Sequence, residues 1–404
     1  MELFLETRPD YTFKFNAGIG RHGWLRLTPA YSVKLVNQLL KNARPDELVF
    51  DPFSGTGTTG LVAAERGMRA VSTDINPFLI WVGNAKCRNY SPSEIAALKT
   101  TVSAILKKLP GPDAEEHWRP PIHNIERWWD SQTLLVLAKL RSLIVEAFGE
   151  PQQTANADLV WIAFSRLVIE TSAAAFNHVS MSFKNGTRHF DAAFVAILFE
   201  NIFQYICQSA LQQLPGSAEI HEMDARKLET GQKFDRVITS PPYPNRISYI
   251  RELRPYMYWT KFLQNGSDAG EMDWKAIGGT WGIATSRLKN WSPQNAALPS
   301  TLLDVCWAIA QSGKPNADLM SAYVHKFFDD LYLHMKNLRD NLSSGAQIHY
   351  VLGNSSFYGV FVPSDSLTIE LLTALGFINC RATSIRKRNS KKGLVEFCIS
   401  AEWH

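Results

Sequence analysis

The chain has 404 residues, 45% of them hydrophobic and 20% charged, a balance that excludes intrinsic disorder and supplies core enough for one large domain or two ordinary ones. Its net charge of +4 permits a nucleic-acid partner without demanding one. The five cysteines (Cys87, Cys207, Cys306, Cys380 and Cys398) include no C-x-x-C pair, which argues against a zinc site or a disulfide framework and fits a reducing compartment.

The first residues lack the basic and apolar regions of a signal peptide, and no run of about eighteen apolar residues suggests a membrane span. A cytoplasmic protein without membrane or metal is the expectation. Tyr11–Phe15 is an aromatic segment, followed by a loop with Gly18, Gly20 and Gly23. Thr28 and Pro29 have the residue types of an N-cap and first helical position, which predicts a helix from there through Leu40.

Residues 47–50, apolar from Leu48 onward, predict a short buried strand, and residues 61–66 predict a helix closed by Gly67. Between them lies Asp51-Pro52-Phe53-Ser54-Gly55-Thr56-Gly57-Thr58-Thr59-Gly60. Its glycines permit a sharp turn and close approach to a ligand, and the helix behind it offers free N–H groups. The next strand, residues 70–74, ends in Asp74, placed about twenty residues on to accept ribose hydroxyls. Phe78 then packs either on an adenine ring or in plain hydrophobic contact.

Residues 92–217 read as helices with apolar positions at helical spacing, a large insertion into the βαβ rhythm. The loop 177–189 inside it mixes aromatic, amide and basic groups, including Lys184 and Arg188; it is either a solvated loop or a surface that touches phosphates and base edges. The alternation resumes with a strand leading to Asp224 and another at residues 234–238, which feeds Ser240-Pro241-Pro242-Tyr243. Paired prolines stiffen that loop and leave carbonyls as acceptors. Residues 264–320, rich in Gly and Trp, either line a cleft or cover the sheet. A helix near 323–338, a strand at 347–352, a helix near 366–375 and two terminal strands complete the chain. The turn between those strands carries Arg386, Lys387, Arg388, Lys391 and Lys392, either a solvated basic turn or a phosphate contact.

The 51–59 stretch taken with Ser-Pro-Pro-Tyr at 240–243 resembles the amino-group DNA methyltransferases, which use S-adenosylmethionine to methylate cytosine N4 or adenine N6. The resemblance covers roughly residues 10–90, 218–262 and 345–402. It implies an α/β fold, a Rossmann-like methyltransferase sheet with a terminal antiparallel hairpin and the large helical insertion. It divides the chain into core (1–91), helical insertion (92–217), catalytic part (218–263), second insertion (264–320) and C-terminal core (321–404). Cofactor binding is implied for Asp51, Phe53, Gly55, Gly57, Thr58, Asp74 and Asp224, the last accepting the adenine amine.

Catalysis is implied for Ser240, Pro241, Pro242 and Tyr243. Ser240 and the Pro241 carbonyl hold the target amine, and Tyr243 stacks on a base flipped out of the duplex. Asn245, Arg246, Lys184, Arg188 and the basic turn are the implied contacts to double-stranded DNA. A cognate restriction endonuclease is a further implied partner. Serine at the head of the loop favours N4-cytosine; N6-adenine, an RNA base amine and a non-catalytic DNA-binding subunit are the alternatives. The chain stops without a long C-terminal recognition domain, which leaves open which insertion reads the target.

Overall fold

The computed structural model describes residues 7–27, 30–111, 116–175, 182–184, 186–279, 283–295, 298–388 and 393–404. Strands β1 (Leu48–Asp51), β2 (Arg69–Asp74), β3 (Ser217–Glu222), β4 (Phe234–Thr239), β5 (Leu342–Gly353), β6 (Ile378–Lys387) and β7 (Val395–Glu402) form one seven-stranded sheet in the order β6-β7-β5-β4-β1-β2-β3. All neighbouring pairs from β3 to β5 are parallel, while β7 runs antiparallel to both β5 and β6. The chain therefore winds outward from β1 in two directions. A sheet of this kind opens a crevice at the carboxyl ends of β1 and β4, where connections leave toward opposite sides.

Helices α1 (Val33–Leu39), α2 (Thr58–Glu65) and α3 (Pro77–Cys87) accompany the first strands. Helix α2 is buried from Thr58 to Ala64, and its start is set by Gly57 at φ 75°. Asn76 caps α3 by accepting from the Phe78 N–H, with Pro77 at the first position. The insertion contributes α4 (Pro92–Lys108), α5 (Ser131–Phe148), α6 (Asp158–Glu170) and α7 (Ala192–Ala210), started by side-chain caps from Ser91, Asp130 and Asp191 at α4, α5 and α7. These helices pack with α3 and with α8 (Tyr249–Trp259) around Trp24, Trp81, Trp129, Trp161 and Trp259.

On one sheet face Val36, Leu61 and Val62 meet Val49 and Ile238. On the other, α11 (Ala317–Arg339) and α12 (Ser364–Ala374) cover Phe234, Ile348 and Ile399. Residues 264–320 include α9 (Gly266–Lys275), whose Ala269 packs in the insertion core while Trp274 lies against the second layer, and α10 (Ser300–Ala310), which joins that layer.

Arg21 joins the insertion to the sheet. It is 2% exposed, and its guanidinium donates to Lys86 O at 2.7 Å beside the end of α3 and to Ala210 O at 2.9 Å at the end of α7. The carbonyls at helix C-termini have no intrahelical donor, so one cation satisfies two helix ends.

The expected helix from Thr28 through Leu40 begins later. Thr28 and Pro29 lie outside the described residues, and α1 starts at Val33 with Ser32 accepting from the Lys34 N–H. Tyr31 is extended, bridged to Thr12, because Asn16 holds both Tyr31 O (2.9 Å) and Val33 N–H (3.0 Å). A side chain that supplies those bonds competes with a helical turn. Among the described residues α7 is long and apolar enough to cross a membrane by length and composition; here it buries Val195, Phe199 and Phe203 and exposes Phe194 and Ile197.

Candidate active site at the carboxyl edge of the sheet

Strand β1 ends in Asp51, 1% exposed beneath the glycine turn. One carboxylate oxygen accepts from Phe53 N–H at 3.1 Å and from Thr239 Oγ1 at 2.6 Å, tying the turn after β1 to the end of β4. Tyr31 OH lies 3.5 Å from the other oxygen and also bonds Thr59 Oγ1. Burial pushes the Asp51 carboxyl up to about 6, against the pull of these donors.

The glycine turn then doubles back. Gly55 and Gly57 have φ 50° and 75°, left-handed conformations that a side chain disfavours. A Cβ on Gly57 would sit 3.3 Å from Gly83 Cα, so this glycine also lets α2 approach α3. Asp74, at the end of β2, accepts from Gly55 N–H at 2.8 Å and from Asn76 N–H at 2.9 Å. Burial pushes its carboxyl up to about 6 as well.

A cleft of about 140 Å³ opens above these strand ends. Phe53, Gly55, Thr58, Asp74 and Asp224 line it together with Ser240 and Pro242. Asp51 and Gly57 stand behind the wall, supporting it. Asp224 is gripped by Arg226, which donates to its two oxygens at 2.9 and 2.7 Å. Burial works to raise that carboxyl, but the Arg226 bonds prevail and lower it. Asp224 also accepts from the Arg226 N–H, so it serves the local turn too. Both carboxylate oxygens are thus engaged by Arg226, and a ligand bonding to Asp224 shares them with that guanidinium.

The proline loop is held from below. Ser240 Oγ donates to Val351 O at 3.1 Å on the neighbouring β5, and Pro241 is buried. Tyr249 OH, at the start of α8, accepts from Tyr243 N–H at 3.0 Å. The Tyr243 ring lies against Gly353, where an added Cβ would meet ring atoms at 3.0 Å, and its hydroxyl donates to Glu396 at 2.8 Å.

Several of the expected DNA contacts already have partners within the protein. Arg386 donates to Glu396 at 2.7 and 3.0 Å, so its charge is already matched by a buried carboxylate. Arg388 donates to Asn354 O at 2.8 Å and sits 5.5 Å from the Tyr243 ring centroid. Lys387 is exposed, whereas Lys391 and Lys392 lie outside the described residues. Arg246 adopts φ 58° and its N–H donates to Tyr323 OH; the Asn245 side chain accepts from Ile247 N–H. Lys184 and Arg188 are exposed on the insertion, where Arg188 O accepts from Thr133 near the start of α5. The rest of that loop, 176–181 and Asn185, is outside the described residues.

Phe78 does not reach the cleft. It is fully buried, stacked on Tyr256 with centroids 5.6 Å apart, so the plain hydrophobic contact holds. The apolar cleft surface comes instead from Ile75, Met223 and Ala225, joined by Ala276 and Ile277 from the segment after α9. Ser54 was within reach of sequence reading, inside the glycine motif. Tyr31 and Ile277 were not, because no local pattern reports which distant segment folds over a cleft.

Ser54 also tests whether a polar cofactor fits. It is buried at the cleft wall, and its Oγ has no hydrogen-bond partner within the protein. A bound group that completes this bond removes a cost of about 1–3 kcal/mol. An acceptor-only carboxylate at Asp74, apolar walls and an orphaned hydroxyl suit a ligand with a flat ring system, a diol and a polar tail.

Comparisons with known proteins agree with that chemistry. Residues 28–82 match the family described as DNA methylase, N6_N4_Mtase. A protein named Type II methyltransferase M.BsoBI, from Geobacillus stearothermophilus, is 22% identical over 433 aligned positions, covering 93% of this chain and 82% of the relative. Among solved structures, the rRNA methyltransferase aviRa from Streptomyces viridochromogenes covers 93% of this chain and 86% of its own, at 10% identity and a TM-score of 0.30. TrmN from Thermus thermophilus covers 98% of this chain and 53% of its own, at 11% identity and a TM-score of 0.33. Overlaps that loose leave the fold to be read from the strand order itself. The matched glycine-turn segment and the relative aligned along nearly the whole chain support an amino-group (N4/N6) methyltransferase, with S-adenosylmethionine as its cofactor.

Proposed function

We propose that this protein methylates the exocyclic N4 amine of cytosine in duplex DNA, with adenine N6 as the alternative acceptor. The observation that carries the reading is that Ser240 and Pro242 open into the same cleft as Phe53, Gly55, Asp74 and Asp224. Loop and cofactor wall are thus close enough for direct transfer without a covalent enzyme intermediate. Serine at the head of the loop supports cytosine, by resemblance to the N4 enzymes.

S-adenosylmethionine, when bound, supplies a methyl group activated on sulfonium. Asp74 would hold the ribose hydroxyls, Asp224 the adenine amine, and Ser54 a polar group of the cofactor. Ser240 Oγ already donates to Val351 O, which leaves its lone pairs to accept an amine N–H. The Pro241 carbonyl supplies a second acceptor. Held at both N–H groups, the amine turns its lone pair out of conjugation and toward the methyl carbon. Tyr243 receives the base, which leaves the duplex to reach the cleft.

Recognition of a short target sequence falls in this reading to the helical insertion, 92–217, with Lys184 and Arg188 toward the phosphates. A restriction endonuclease cutting the same sequence is the implied companion, in the cytoplasm. The test is to incubate protein, S-adenosylmethionine and mixed-sequence duplex DNA, then identify methylated nucleosides by mass spectrometry. N4-methylcytosine is expected. N6-methyladenine keeps the enzyme class and removes the serine argument. No methylated nucleoside, with cofactor binding shown by calorimetry, rejects DNA as substrate and directs the assay to RNA.

A further inference from the structure

The end of the chain reaches back to the proline loop. Glu396, second residue of β7, is 5% exposed. It lies 153 residues from Tyr243 in sequence, yet accepts the Tyr243 hydroxyl at 2.8 Å. Arg386, across the hairpin on β6, pairs with both oxygens of the same carboxylate. The pairing register sets Arg386 directly opposite Glu396, next to an irregularity between Ser384 and Arg386. Strand β7 also pairs Glu396 with Gly353, the residue on which the Tyr243 ring rests.

Three constraints therefore act on one ring. Gly353 supplies a surface with no side chain, Arg388 packs beside it, and Glu396 fixes the hydroxyl. A buried carboxylate is costly unless paired and hydrogen-bonded. Arg386 supplies the pairing, and the same carboxylate accepts the Tyr243 hydroxyl. Burial, then the charge of Glu396, raises the Tyr243 phenol far above its ordinary value, so it stays a donor.

We propose that Glu396, held by Arg386, is a positioning residue for Tyr243, fixing the ring in the orientation that receives the target base. The inference rests on the methyl-transfer reading above. It assigns the basic hairpin a role besides phosphate contact: Arg386 serves the catalytic loop. It also distinguishes tyrosine from phenylalanine at this position, since phenylalanine offers the same stacking surface without the anchor.

The experiment is a double-mutant cycle with Y243F, E396Q and Y243F/E396Q, assayed for methyl transfer to plasmid DNA. E396Q preserves side-chain volume, and Y243F leaves the Glu396–Arg386 pair intact, so folding is checked independently by thermal unfolding of both. Each single variant should lose about tenfold in kcat/KM for DNA, with cofactor Kd by calorimetry within about twofold of wild type. The double variant should be no worse than the weaker single one, because Y243F removes and E396Q weakens the same bond. Full activity in E396Q, or a double-variant loss equal to the product of the two single losses, overturns the inference. A wild type that transfers no methyl group to DNA instead overturns the function on which it rests. A variant that loses cofactor affinity in proportion to activity shows a merely structural role and also refutes it.

Discussion

Replacing Asp51 by asparagine should stabilise the cofactor-free protein at neutral pH while impairing its function. The carboxyl is 1% exposed and has no cation among its hydrogen-bond donors, which are Phe53 N–H, Thr239 Oγ1 and Tyr31 OH. Burial raises its pKa from 3.8 to about 6, so the native state holds the proton more tightly than the unfolded chain. Its favourable contribution is complete below 3.8 and is lost as pH rises through 6. At 1.36 kcal/mol per unit, ionisation costs the native state about 3 kcal/mol by pH 8. Asparagine escapes that cost but makes weaker bonds to the same donors, a loss of about 1–2 kcal/mol.

D51N should therefore exceed wild type by about 1–2 kcal/mol at pH 8, and fall slightly below it near pH 4. The swing between the two pH values, about 2.5 kcal/mol, is the sharper quantity because errors in the bond terms cancel. Urea unfolding of both proteins, without cofactor, across pH 4–8 measures it. A difference that does not change with pH would show that Asp51 carries no burial penalty, and the reasoning about this site's electrostatics would fail.

Two other substitutions probe the architecture. Gly353→Ala places a methyl group 3.0 Å from Tyr243 ring atoms and from Arg388 Nη1, so methyl transfer should fall by about tenfold or more with cofactor affinity retained; unchanged turnover would mean that the ring moves without consequence. Arg21→Met leaves the carbonyls beside α3 and α7 without their donor, and should cost about 2–4 kcal/mol in urea unfolding, first seen as faster proteolysis of the insertion. A loss below about 0.5 kcal/mol would show that water replaces the guanidinium.

Local chemistry determined the parts of the site that lie within one strand-turn-helix unit. Asp51, Gly55, Gly57 and Asp74 were legible because the turn geometry, the glycine φ angles and the strand period are set by neighbouring residues. Ser240 and Pro242 were legible for the same reason, as a rigid loop directly after a buried strand. The helical insertion announced itself by apolar spacing over four helices, α4 to α7.

Three-dimensional packing decided the rest. Tyr31 enters the site because Asn16 diverts it from a helix, a choice made by a side chain fifteen residues away. Phe78 leaves the ligand surface because Tyr256 and the insertion core offer it fuller burial. Arg386, a candidate phosphate contact in the sequence, is also the partner of Glu396 because strand register, not composition, selects which groups face each other. Sequence reports propensities that act over one turn or strand; pairings between residues 153 positions apart exist only once the sheet has closed and the cost of burying a charge must be met by whichever donor lies within reach.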